Sequence, residues 1–327
     1  MKKWILCLSV PLWGYIEVVP DYEGYVDVMF PQVVEGPYGN LGTWGKIQYV
    51  LHQQGIEIKG TPLIGDGELI VILNVPYYVG LSRIEEIPRE KKFLIVYEPP
   101  TVEPKLHERE YYASFSKVFT WDDDVVDGKQ FIKMHYPVMY PMKEHLIPFE
   151  DRKLLCMISR NKTSQGPQEI YTERKKAIEY LDDSGLFDLY GYGWEGEGYH
   201  SYVGSVADKY ATLQQYRFSF SYENTENIRG YITEKIFDCF HVGTIPIYLG
   251  ASNICDYVPK DCLIDKRDFA SYEALLDYVQ GMSEETFYGY QERIRAFLKT
   301  DQAKLFDEET FIHLFVQEVL LSLSNLS

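Results

Sequence analysis

The chain of 327 residues is 46% hydrophobic and 15% aromatic, longer than one hydrophobic core usually grows, so two domains are the default expectation. Charged residues make up 25%, with 24 Gly and 16 Pro scattered along the chain, which excludes a disordered or collagen-like polymer. The 49 acidic against 32 basic residues leave a formal charge of −17, which opposes nucleic acid and anionic membranes as partners, although a few local cations can still hold one nucleotide.

Met1-Lys2-Lys3 and the apolar run over 4–12 have the outline of a signal peptide. The run lacks a small-residue cleavage pattern and is too short to span a bilayer, so it reads as the first strand. Short apolar runs at 5–10, 69–73, 93–97 and 117–120 predict buried parallel strands joined by crossovers. Residues 136–151 carry Pro137, Pro141 and Pro148 without periodicity, as a linker does. The expected domains are therefore 1–150 and 151–327. In the second, strands at 153–159, 187–190, 218–222 and 244–249 alternate with helices at 169–182, 206–215 and 233–242, again an α/β unit. Helices at 271–282, 283–298 and 308–323 follow. The polar face of the last carries Glu and His rather than Lys and Arg, so at most peripheral membrane contact is expected. The five cysteines form no CxxC pair and mostly sit in apolar runs such as Leu154-Leu155-Cys156-Met157-Ile158, as buried thiols of a reducing, cytoplasmic compartment do. Asn161-Lys162-Thr163 and Asn325-Leu326-Ser327 match the glycosylation tripeptide, which matters only in a secreted chain.

Two such units predict a cleft faced by strand ends and helix N-termini, suited to a two-substrate transferase. Phe218-Ser-Phe-Ser-Tyr-Glu-Asn-Thr225 leads through Gly230-Tyr-Ile-Thr-Glu-Lys-Ile-Phe-Asp238 to Gly243-Thr-Ile-Pro-Ile-Tyr-Leu-Gly250: a strand, a polar loop, a helix and a further strand. Glu223 and Asn224 end the first strand, while Glu234 and Lys235 open the helix, where the dipole favours an anion and a carboxylate can accept from a ribose diol. Taken alone, the same pair reads first as two solvated first-turn charges. Arg174 shares a helix face with Ile170, Ala177, Ile178 and Leu181; its partner is either a buried carboxylate or a diphosphate. Glu98, where Leu94-Ile-Val-Tyr97 breaks at Pro99-Pro100, is either a strand-end carboxylate capping a loop or a general base whose affinity for protons is raised by burial. Gly191-Tyr-Gly-Trp-Glu-Gly196 fits the letters of a dinucleotide fingerprint but opens no periodic helix. Asp122-Asp-Asp124 reads as a solvated turn rather than a metal site. No HExxH, GxSxG or Walker sequence occurs, which removes the usual support for a hydrolase or kinase.

Taken together, Tyr222-Glu-Asn-Thr225, Gly230-Tyr-Ile-Thr-Glu-Lys235 and Gly243 to Gly250 resemble the signature of the family 10 α-1,3/1,4-fucosyltransferases, with further likeness from about 154 to 269. The resemblance implies a GT-B fold of two Rossmann-like domains, an N-terminal acceptor domain and a C-terminal domain for GDP-fucose. It implies inverting transfer of fucose to an oligosaccharide acceptor such as N-acetyllactosamine in glycan biosynthesis. By position it makes Glu98 the base, assigns the diphosphate to Arg174 and Lys235 and the ribose to Glu234, and lines the donor pocket with Glu223, Asn224 and Tyr231. No metal is obligatory if protein cations serve the diphosphate, with Mn or Mg at most stimulatory. Pro99-Pro100 departs from the family's Ser-Pro, and no heptad-repeat tail follows. The alternatives are a transferase of another GDP-sugar and, given 28 Tyr and 5 Trp able to stack on sugars, a non-catalytic glycan binder.

Overall fold

A computed structural model describes residues 4–9, 43–60, 69–73, 87–166 and 168–325. The chain divides into two compact units, Met1–His135 with Glu308–Ser327, and Tyr136–Asp307. The division falls before the proline-rich segment, not at residue 150, and the last helix leaves the second unit for the first. The reason lies in where that segment's polar groups go. Val138 and Met139 both donate N–H to Phe306 O at 2.9 Å, and Lys143 donates to His241 O at 2.8 Å. Met142 packs with Phe237 and Phe306 in one core. The prolines therefore shape an irregular but bonded layer of the second unit rather than a free linker.

The first unit comprises β1 (Trp4–Ser9), α1 (Thr43–Gln53), β2 (Ile56–Gly60), β3 (Leu69–Leu73), β4 (Lys92–Ile95), α2 (Arg109–Ala113), β5 (Lys117–Thr120) and β6 (Phe131–Lys133). These strands form a parallel sheet in the order β2-β1-β3-β4-β5-β6. Both faces of β4 are buried, as a parallel sheet covered on two sides requires. Leu94 and Val96 pack with Leu106, Phe115 and Val118. Phe93 meets Phe119, which in turn lies 5.5 Å from Phe315 of the C-terminal helix Glu308–Asn325. Trp44 of α1 touches Phe311 and Phe315 of the same helix edge-on at 6.1 and 5.5 Å. These contacts explain why the chain's last helix belongs to its first unit.

The second unit comprises β7 (Lys153–Ile158), α3 (Tyr171–Leu181), β8 (Phe187–Tyr190), β9 (Tyr202–Gly204), α4 (Lys209–Leu213), β10 (Tyr216–Tyr222), α5 (Glu234–Val242), β11 (Ile245–Leu249), β12 (Ile264–Asp265), α6 (Tyr272–Gln280), α7 (Glu284–Phe297) and α8 (Asp301–Lys304). Its parallel sheet runs β12-β11-β10-β7-β8-β9. The chain builds outward from β7 to β9, returns to β10, then builds the other way. The β7–β10 seam is therefore a topological switch point, where open α/β sheets bind ligands. Along β10 the residues alternate. Phe218, Phe220 and Tyr222 enter one core with Ala177 and Ile178 of α3, while the short side chains of Ser219 and Ser221 face α5. Ser221 Oγ donates to Lys235 O at 3.2 Å and lies 3.3 Å from Cys239 Sγ. Helices α6, α7 and α8 start at Ser271, Ser283 and Thr300, whose side-chain oxygens each accept the N–H three residues on, the usual N-cap bond. Helix α5 stops at Gly243, whose φ of 68° is left-handed and whose N–H, with that of Thr244, closes back on Phe240 and Cys239.

Candidate active site

At the C-terminal ends of β7 and β10 a cavity of about 210 Å³ opens at the switch point. Its floor includes Ser219 and Ser221, so the alternation of aromatic and serine residues in β10 leaves room on one face while filling the core on the other. Five basic residues line it, namely Arg160, Lys162, Arg174, Lys209 and Lys235, against one acid, Glu234. In a chain of net charge −17 this local reversal of sign selects an anion.

Arg174 is placed by the start of α3. The preceding segment is tied to the exit of β10: Glu226 N donates to Gln168 O at 2.8 Å and Thr225 Oγ1 to the same oxygen at 3.0 Å. One turn later the guanidinium, 6% exposed, donates through Nη2 to Tyr222 O (2.8 Å), Glu223 O (2.5 Å) and Asn224 Oδ1 (3.1 Å). All three acceptors are neutral, so these bonds orient the cation without neutralising it, and the buried carboxylate foreseen as one partner is not among them. Burial lowers its pKa, partly offset by Tyr171 and Glu223. Asn224 thus both lines the cavity and steers the arginine.

Helix α5 begins at Glu234, as expected. Its entry is fixed by Glu223, which is fully buried. Glu223 Oε1 accepts from Thr233 N at 2.8 Å, and Oε2 accepts from Thr233 Oγ1 at 2.7 Å and from Lys235 Nζ at 2.9 Å. Gly250 is required beside it, because a Cβ there would come within 2.6 Å of Glu223 Cγ. This carboxylate joins all three segments of the sequence signature. It is not among the residues lining this cavity, and it stands behind the wall as a buried anchor. Tyr231 is likewise outside this cavity's lining: it is 2% exposed, and its ring meets Tyr136 at 6.1 Å.

Lys235, whose side chain is 21% exposed, also donates to Thr233 Oγ1 at 2.8 Å and lies 3.5 Å from Glu234 Oε1. Burial lowers its pKa, but Glu223 and Glu234 outweigh this and raise it. For Glu234 burial raises the value, and Lys235, Lys209 and helix-end hydrogen bonds reverse the effect and hold it at about 2. Both groups are thus charged at neutral pH. Lys209 pairs with Asp238, which also accepts from Tyr210 Oη at 3.2 Å.

The structure therefore brings Arg174, Asn224, Glu234 and Lys235 to one cavity and adds Arg160, Lys162 and Lys209, which sequence reasoning passed over. The available signal was position: Arg160 and Lys162 stand just past the C-terminal end of β7, on the ligand side of a parallel sheet. Glu98 lies in the first unit, half-buried just beyond β4. Asp122-Asp-Asp124 forms a self-bonded turn, with Asp124 N donating to Asp122 Oδ1 at 3.0 Å and Asp123 paired with Lys133. Among the described residues, ligand atoms that could share a metal gather at Asp182, Asp183 and His200, outside the cavity. There, Asp182 is already occupied by the N–H and hydroxyl of Ser201 and by the N–H of His200.

A six-stranded parallel sheet wound in both directions with a cationic cavity at its switch point, in a chain that carries a second parallel-sheet unit, defines a protein of the GT-B fold class. A crystal structure of an α1,3-fucosyltransferase with GDP matches 96% of this chain and 90% of its own at a TM-score of 0.58 and 14% identity, and this likeness shows the fold. The family described as glycosyltransferase family 10 (fucosyltransferase), C-terminal part, matches residues 148–312, half of the chain, and the chain belongs to that family. The α-(1,3)-fucosyltransferase FucT of Helicobacter pylori is 38% identical over 77 residues, covering 23% of this chain and 16% of the relative. The 4-galactosyl-N-acetylglucosaminide 3-α-L-fucosyltransferase 9 of Mus musculus is 27% identical over 199 residues, 59% of this chain and 49% of the relative. The chain thus spans less than half the length of these curated relatives. No helix of the described residues is long and apolar enough to cross a membrane.

Proposed function

We propose that the protein is an inverting α-1,3/1,4-fucosyltransferase that moves L-fucose from GDP-fucose to a hydroxyl of a GlcNAc-containing glycan such as N-acetyllactosamine. The observation that carries this reading is the cavity with five cations and one ionised carboxylate at the β7–β10 switch point, in a chain whose family and sequence relatives are named for fucosyl transfer. In this reading Arg174 and Lys235, helped by Arg160, Lys162 and Lys209, take the diphosphate through charge-assisted bonds, and Glu234 accepts from the ribose diol. Asn224 lines the donor site and holds Arg174. Fucosyl transfer develops positive charge on the sugar and negative charge on the departing diphosphate, so the cations act where charge appears. Glu98 is the base that takes the acceptor hydroxyl's proton as the new bond forms, and the anomeric centre inverts in one displacement. No divalent metal is obligatory, because protein cations already serve the leaving group. A reducing, cytoplasmic location is supported by the free thiols of Cys156, Cys239, Cys255 and Cys262.

The test is GDP release from GDP-fucose with and without N-acetyllactosamine, with mass analysis of the glycan and Glu98→Gln in parallel. A fucose-sized mass gain that Glu98→Gln abolishes, with GDP affinity retained, supports the whole reading. Release with another GDP-sugar but not GDP-fucose replaces the donor, and full turnover by Glu98→Gln removes the base.

A further inference from the structure

Glu98 follows β4 in a loop whose main-chain groups are held one after another. Val96 N donates to Phe119 O at 2.9 Å, and Pro99 O accepts from Val102 N and Glu103 N at 2.9 and 3.0 Å. The two carbonyls between are held by side chains. Trp121 Nε1 donates to Tyr97 O at 3.1 Å, and His107 Nε2 lies 2.9 Å from Glu98 O. A carbonyl only accepts, so the His107 proton sits on Nε2. Its Nδ1, 3.0 Å from Tyr112 Oη, then accepts from that hydroxyl. The imidazole packs 6.0 Å from the ring of Trp121 and edge-on to Tyr112 at 6.2 Å, both buried. Burial lowers its pKa more than the Glu98 bond raises it, in keeping with a neutral ring.

The bond falls where the backbone has few other handles. The peptide after Glu98 ends on Pro99, which has no N–H, so the Glu98 carbonyl is the polar group by which that peptide plane can be fixed. Pro99 already confines Glu98 to extended backbone; the carbonyl bond selects one orientation within that range. A base must be kept within a fraction of an ångström of its proton for efficient transfer, and the supporting contacts decide this.

We propose that His107 is a positioning residue for Glu98: by donating Nε2–H to the Glu98 carbonyl it fixes the 98–99 peptide and the backbone that carries the carboxylate. The inference rests on the reading of Glu98 as the base. His107→Phe keeps a flat ring beside Trp121 and Tyr112 but removes the donor, whereas His107→Gln restores an N–H. Both are compared with the unchanged protein by hydrogen exchange over 96–103, which needs no substrate, by GDP titration, and by GDP release in the transfer assay beside Glu98→Gln. His107→Phe is expected to speed exchange at Val102 and Glu103 by about tenfold and to lower kcat by about tenfold or more. Its Kd for GDP stays within about twofold of the original, and His107→Gln recovers most of both losses. Unchanged exchange in His107→Phe overturns the proposal. So do equal losses in the two variants, because ring packing alone then accounts for them. Normal turnover by Glu98→Gln sinks the base reading instead, while exchange still decides whether His107 holds the loop. Should His107→Phe not fold, Tyr112→Phe removes only the hydroxyl at Nδ1 and is expected to speed exchange about threefold; no change there counts against the proposal.

Discussion

Lys235 does two jobs that ordinary mutagenesis would confuse. It faces the cavity, and it is also the counter-charge of Glu223, which has no exposure at all. Removing it alone strands a buried carboxylate. Lys235→Met is expected to destabilise the protein by about 3 kcal/mol as well as to weaken GDP binding. Glu223→Gln/Lys235→Met, neutral on both sides, is expected to recover most of the stability and none of the affinity. Urea unfolding and GDP titration on the same samples separate the effects, and a double variant as unstable as the single one would show that Glu223 anchors the helix by some other means. Glu234 carries a pH prediction. Its folded value of about 2 lies below the ordinary 4.5. A carboxylate depressed in this way contributes stability that is present above its ordinary value and is lost as pH falls from there toward 2. GDP-fucose, with its diphosphate esterified at both ends, should therefore bind with near-constant affinity between about pH 5 and 8. A titration with a midpoint near 6 would place some other group in contact with the donor. Glu223 and Tyr231 are the residues whose depth of burial the sequence does not show. Their pattern marks them as essential to the loop, but pattern does not distinguish a side chain that lines a wall from one that holds the wall up; only burial and bond partners do.

At the scale of elements, every strand that sequence periodicity predicts is present, and the strands it passes over are β2, β6, β9 and β12. These are the outer strands of the two sheets. The physical reason is shared: an edge strand pairs on one side only, so its sequence is not held to a continuous apolar run. Ile56-Glu-Ile-Lys alternates, and β12 is two residues long. Central strands, buried on both faces, announce themselves by composition; edges are defined by their neighbours. The C-terminal helix shows a related gap. Its apolar face is readable, but the surface it covers lies far earlier in the chain, at Trp44 and Phe119, and nothing local encodes that. Phe315, fully buried, tests the assignment. Phe315→Ala is expected to cost about 3–5 kcal/mol in the first unit, seen in urea unfolding as an earlier change in tryptophan emission from Trp44 and Trp121. GDP affinity, which the proposed function assigns to the second unit's cavity, should hardly move. A large loss of affinity would mean that the two units do not unfold separately.

For the molecule as a whole, the charge balance poses the sharpest question. An excess of acids repels nucleotides at long range, yet the cavity concentrates Arg160, Lys162, Arg174, Lys209 and Lys235 around one carboxylate. Long-range repulsion is screened over about 8 Å at physiological salt, whereas contacts inside a partly closed cavity are screened far less. Moderate salt should therefore speed association of GDP-fucose while shortening its residence, so that stopped-flow and equilibrium measurements diverge. The same cations bear on metal dependence. A divalent ion is needed where a leaving diphosphate would otherwise depart with its charge unmet. Here Arg174 is oriented by neutral acceptors alone, so its charge remains available to the ligand, and Lys235 and Lys209 reach the same space. A metal bound to the diphosphate would compete with these side chains for the same oxygens. Turnover is therefore expected to keep at least about half its rate in excess EDTA and to rise no more than about threefold with Mn or Mg. Loss of nearly all activity in EDTA, restored by either ion, would show that the cationic wall serves ground-state binding and that charge on the departing group is met elsewhere.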